Sequence, residues 1–210
     1  MQGNYMKLKN KVIVLGICLV QTALAATENL NSQLEHLKNY QANFSQITSA
    51  NGDMTAKASG KVWIYRPWQM RWQVQKPSAQ TLLVNGKTIV QLNPDLNQAT
   101  VRQMNPTELS NAGLLLASHA DLSNTFIIKA LPSKKGLSSF LLTPKKPLQL
   151  TKIVLNFSKV GLASMETWNT LGQKNIFTFT KINTVAAINR SLFKFKPTKG
   201  MDVLNADKMN

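Results

Sequence analysis

Groups able to do covalent or proton-transfer chemistry are scarce in this chain. It holds nine carboxylates, two histidines and one cysteine in 210 residues. General acid–base and metal chemistry need such groups close together, and neither an H-x-x-H nor a D-x-D spacing occurs. His36 and His119 stand in unrelated contexts, and His36 reads as a solvated residue. Ser191-Leu192-Phe193-Lys194 matches S-x-x-K, but it lies on an alternating pattern without the companion motifs that give this spacing meaning. A glycine-rich phosphate loop and a nucleophile elbow are both missing. The chain therefore reads as a non-enzyme without metal or cofactor.

One residue does demand an explanation. In SGKVWIYRPWQMRWQV, apolar side chains alternate at period two: Val62 and Ile64, then, past Pro67, Met70, Trp72 and Val74. Alternation predicts two strands sharing an apolar face. A proline between them predicts a hairpin, because proline removes a ladder donor. Arg66 falls on the apolar face. A buried cation needs hydrogen-bonding partners, whereas an arginine at a sheet edge reaches water along its aliphatic stem. Both readings fit the pattern.

Residues 1–25 read as a secretory signal peptide. Lys7, Lys9 and Lys11 precede the apolar run Val12 to Val20, and Ala23-Leu24-Ala25 supplies a small-x-small cleavage site. The run is shorter than the roughly 20 residues of a membrane span. Cys18 lies inside it, after bulky Ile17, which argues against lipid attachment. Cleavage after Ala25 leaves one cysteine-free domain, residues 26–210, with no disulfide or thiol chemistry. Losing three lysines takes the formal charge from +16 to +13. That balance favours anionic neighbours such as lipid head groups or acidic proteins. The export signal and the scatter of the basic residues argue against nucleic acid.

The elements that must position Arg66 are mostly strands. Leu30, Leu34, Leu37, Phe44 and Ile47 recur at three- and four-residue spacing, which predicts one amphipathic helix over 28–47, with Asn51-Gly52 ending it or turning the chain. Asn85-Gly86 between two apolar runs predicts a hairpin pairing Val84 with Lys87 and Leu82 with Ile89, covered on both faces. A turn at 93–95 leads to a strand over 98–104. Asn105-Pro106-Thr107-Glu108 reads as a capped helix start. Leu109, Leu114, Leu115 and Leu116 follow in a short element that must touch apolar surface on several sides, as core or as a lid. Strands are expected at 125–130, 138–143, 150–157, 163–168, 175–182 and 192–196. About eleven strands with two helical segments make an antiparallel barrel or strongly curved sheet.

Several motifs occur in order along the mature chain: L-x-x-L ending in NFSQ, SG-x-VW-x-x-RP-x-x-MRW, NGKTI, NPDL-x-Q, GQ-x-x-x-F-x-F and F-x-FKPTKGMDV. The ordered set resembles the LolA family, periplasmic carriers of outer-membrane lipoproteins. The resemblance implies an open β-barrel closed by helices, with the acyl chains of a lipoprotein inside. It implies loading from an inner-membrane ABC release complex (LolCDE-like) and delivery to an outer-membrane acceptor (LolB-like), by a periplasmic monomer. It also implies that Arg66 bonds the lid from within the chamber, beside Val62, Ile64, Met70, Trp72 and Val74; Met70 stands where an aromatic is common in the family. Two rival readings are the LolB-like acceptor, which shares the barrel but needs a lipidated cysteine, and a basic module binding anionic envelope lipid.

Overall fold

The computed structural model describes residues 26–27, 29–104, 112–118 and 121–208. Twelve strands form a single sheet: β1 (Asn39–Ala50), β2 (Asp53–Tyr65), β3 (Gln69–Lys76), β4 (Gln80–Asn85), β5 (Thr88–Asn93), β6 (Gln98–Gln103), β7 (Phe126–Lys134), β8 (Leu137–Pro144), β9 (Leu150–Ser158), β10 (Gly161–Asn169), β11 (Gln173–Asn183) and β12 (Asp202–Asn205). The order across the sheet is β12-β6-β5-β4-β3-β2-β1-β11-β10-β9-β8-β7, antiparallel except where β12 runs parallel to β6. Two meanders thus meet where β1 pairs with β11. The outermost strands, β12 and β7, do not pair with each other, so the sheet is unclosed. It curves, because Met70, Val84 and Ile89 from one meander share a buried cluster with Ile128, Phe140 and Phe157 from the other. The helical segment α1 (29–35) and the short helix α2 (Ala112–Ala117) fill the concave side with Leu30, Leu34, Leu114, Leu115 and Leu116.

The long helix expected over 28–47 is not formed. Helix ends at residue 35, and Asn39 begins the central strand β1. Leu37 and Phe44 satisfy helical spacing, but Tyr40, Ala42 and Phe44 also satisfy period two, and all three are buried. Pairing on both sides, with β2 and with β11, supplies more hydrogen bonds than a solitary surface helix could keep. Ile47 consequently points outward and is largely exposed.

Two further differences concern register and edges. The β4–β5 hairpin pairs Asn85 with Thr88 and Val84 with Ile89, two residues along from the expected register. Gly86 has positive φ while Asn85 and Lys87 do not, so the turn centres on Gly86-Lys87, as in a type II′ loop. Both faces are covered as expected: Val84 and Ile89 enter the main core, and Leu83 and Val90 a smaller outer cluster with Ala99. Residues 192–196 form no strand; Arg190–Phe193 is a 3₁₀ turn. Alternation there has a different cause, since Phe195 packs on the outer cluster without pairing and Phe193 is buried. The twelfth strand, β12, lies further on. The capped start at Asn105-Pro106-Thr107-Glu108 and Leu109 lie outside the described residues.

Gly60 marks the tightest point of the concave wall. A Cβ built there would lie 1.9 Å from the Gln73 carbonyl oxygen and 3.0 Å from the Phe44 ring. The obstruction is backbone and cannot rotate away. Gly60→Ala should therefore lower stability by about 3 kcal/mol, the upper end of ordinary overpacking, read as a lower urea midpoint at unchanged slope. Ser59→Ala, its neighbour, should shift the midpoint far less.

Candidate functional site

The β2–β3 hairpin forms as the alternation predicts, with Val62 opposite Trp72 and Ile64 opposite Met70. Val62, Ile64 and Met70 are fully buried; Trp72 and Val74 pack on the same core but are only partly buried. Arg66 follows β2 directly, and its peptide bond to Pro67 is cis. Its side chain turns inward and is 7% exposed, so it does not reach water like an edge arginine.

Among the described residues, the guanidinium's hydrogen-bond partners are all backbone. Nε and Nη2 donate to the Ser118 carbonyl and Nη1 donates to the Leu34 carbonyl. These oxygens lie at the C-terminal ends of α2 and α1, where carbonyls run short of helical partners; the Leu34 carbonyl also accepts the Leu37 N–H at 3.0 Å. Two main-chain bonds reinforce the junction: Arg66 N–H to the Lys38 carbonyl at 3.1 Å and Trp68 N–H to the Ala117 carbonyl at 2.8 Å. Burial pulls the Arg66 pKa below its ordinary value, and nearby Glu35 opposes that shift. One hairpin therefore ties both helices to the sheet through a single cation. Leu114, Leu115 and Leu116 are buried in the helix it holds.

Beyond the hairpin the concave wall is aromatic. The Trp72 ring lies 4.7 Å from Phe44, 5.3 Å from Phe177 and 6.1 Å from Phe179, the last two edge-on. Sequence reasoning missed three of these four rings as a group. The period-two pattern of IFTFTKI already sets Phe177 and Phe179 on one face, whereas Phe44 was absorbed into the expected helix. Leu82 and Phe177, like Trp72, are only partly buried, so part of the apolar wall stays accessible. Towards the β1–β2 turn the inner face becomes polar, where Gln46, Thr48 and Asn175 bond one another at 2.7–3.2 Å.

This interior is lined mainly by apolar side chains. Among the described residues no buried side-chain nitrogen or oxygen lacks a partner. Nor do the described His, Cys, Asp and Glu residues group for a metal ion. His36 is exposed.

Residues 35–196 match the family described as outer membrane lipoprotein carrier protein LolA. The chain belongs to this family. It is 36% identical over 190 residues to an outer-membrane lipoprotein carrier protein of Coxiella burnetii, covering 89% of this chain and 90% of that one. A Dechloromonas aromatica protein of the same description is 33% identical over 181 residues, covering 85% and 87%. The fold resembles that of a LolA superfamily protein from Nitrosomonas europaea (TM-score 0.51, 13% identity, 83% of this chain and 98% of that one). Among the described residues no helix is long and apolar enough to cross a membrane.

The junction's dependence on a planar fork is testable. Lysine keeps the charge at position 66 but cannot serve Leu34 and Ser118 together. Charge-assisted bonds of this type contribute about 1.5–3 kcal/mol each. Arg66→Lys should therefore speed amide exchange of Trp68 and of the α2 peptide at least about tenfold. Hydrogen-exchange mass spectrometry should find β8 and β9 unchanged.

Proposed function

We propose that this protein is a periplasmic carrier that shields the acyl chains of lipoproteins and moves them between membranes. The single observation behind this reading is the half-covered apolar wall of Trp72, Val74, Leu82 and Phe177, roofed by helices held through Arg66. Each buried methylene is worth about 0.8 kcal/mol, so acyl chains leave a bilayer only for another apolar site. Val62, Ile64, Met70, Trp72 and Val74 line that site, and Leu114, Leu115 and Leu116 belong to its lid. Arg66 is the latch. A lid held by a few polar bonds has two states a few kcal/mol apart, which cargo entry biases.

The finer steps rest on family likeness. Cargo is received from an inner-membrane ABC release complex and passed to a LolB-like outer-membrane acceptor. The role needs no turnover chemistry. Residues 1–25 are an export signal, removed after Ala25. Intact-mass analysis of secreted protein should give a chain starting at Ala26 without lipid. A diacylglyceryl group on Cys18 would instead make this protein an acceptor.

A two-step assay separates the roles of wall and latch. Loading is scored from lipoprotein-bearing inner-membrane vesicles, and transfer is scored to purified acceptor. Trp72→Glu places an unpaired carboxylate on the apolar wall and should abolish loading. Arg66→Leu should load normally but transfer at least about tenfold less, because an apolar residue there holds the loaded state more firmly while the desolvation cost of the cation is lost. Unchanged transfer by folded Arg66→Leu protein would refute the latch.

A further inference from the structure

A row of exposed lysines interleaved with exposed apolar tips, along one end of the sheet from β7 to β11, points to a docking surface outside the apolar interior. Three consecutive connections share that end: the β7–β8 turn, the β9–β10 turn and the segment leaving β11. These connections and the strand ends beside them carry Lys134, Lys135, Lys159 and Lys181, all exposed, and no carboxylate. None of the four lysines is ion-paired with a described residue. Among the described residues, two acidic groups at this end act elsewhere: Glu35 on Arg66, and Asp207, which accepts the Gln103 N–H near the opposite edge.

Local hydrogen bonds fix two apolar side chains among these lysines. The Ser158 hydroxyl accepts the Val160 N–H at 3.3 Å and donates to the Gly161 carbonyl at 3.1 Å, which holds Val160 at the turn tip, 60% exposed. Asn183 Oδ1 accepts from Val185 and Ala186 N–H at 3.0 and 2.9 Å, which leaves Val185 91% exposed. These two tips adjoin, since a Cβ at Gly161 would lie 3.4 Å from Ile182 and from Thr184. Lys135 and Gly136 both have positive φ and close the third tip as a tight two-residue turn. From β7 to β11 the row spans about 19 Å.

We propose that this row of tips docks on a bilayer surface rich in anionic phospholipid head groups, with Val160 and Val185 entering between them. Protein interfaces concentrate binding in aromatic and arginine anchors and are depleted in lysine. This rim has lysines, two small apolar points and no aromatic or arginine side chain at its tips. Long flexible lysines suit a fluid array of phosphates, and their stems lie along apolar surface while the ammonium stays wet. The excess positive charge of the chain draws it to such a surface from a distance.

Flotation with vesicles free of lipoprotein tests this without reference to cargo. The purified protein should bind phosphatidylglycerol–phosphatidylethanolamine vesicles, release in high salt and ignore phosphatidylcholine vesicles. Each lysine near such a surface changes partition about fivefold. Replacing Lys134, Lys135, Lys159 and Lys181 together by glutamine should thus lower partition by about a hundredfold or more. Glutamine at Lys57, Lys76, Lys145 and Lys146, near the opposite end, removes the same charge and should cost less than about fivefold. Val160→Asp with Val185→Asp should weaken binding about tenfold at low salt. Near-UV circular dichroism checks that all variants are folded. Equal losses in the two lysine sets, equal binding to neutral vesicles, or retention on immobilised polyglutamate without vesicle binding would each overturn the proposal.

Discussion

A buried guanidinium held, among the described residues, by main-chain carbonyls sets the terms for the rest of this molecule. Taking a cation out of water is costly, and among the described residues no carboxylate hydrogen-bonds it. The compensation comes from carbonyls at the C-terminal ends of two helical segments, the end at which backbone dipoles leave negative partial charge. Neither helix could be placed differently without stranding the charge. Each is also too short to be stable by itself in water. The helices need the sheet for their leucines and the arginine for their ends, while the arginine needs both helices to be tolerated inside.

That mutual dependence explains why the roof is not simply more core. A leucine at position 66 would pack against the same aliphatic neighbours, with no directional requirement. Arginine instead makes closure conditional on geometry. The aromatic wall is the opposite kind of surface, because Phe44, Trp72, Phe177 and Phe179 meet edge-on or tilted and leave faces available for further apolar contact. Directional closure over a permissive wall suits contents that vary in length.

Much of this was legible in the sequence, for identifiable reasons. Arg66 stood out because a cation interrupted a period-two apolar run, and strands β2 to β11 followed from alternation punctuated by Gly, Pro and Asn. Its partners did not stand out: main-chain carbonyls at 34 and 118 carry no residue-type signal, and only tertiary placement brings them to position 66. The segment after residue 35 misled because Leu37 and Phe44 satisfy two periods at once, and long-range pairing decided between them. The Phe193–Phe195 alternation likewise reported a one-sided contact rather than a ladder. The parallel strand Asp202–Asn205 is short and mostly exposed, so burial left no trace of it in the sequence.

The position of β1 has a kinetic corollary. It is the first strand along the chain yet lies in the middle of the sheet, and its partner β11 starts more than a hundred residues later. Tyr40 repeats the dependence, donating to the Leu162 carbonyl at 2.8 Å. A polypeptide emerging amino end first from a ribosome or a translocation pore can complete only half of the ladder around β1 until residue 173 has passed. Such non-local pairing slows folding. The topology itself therefore delays compaction and keeps a growing chain threadable for most of its passage.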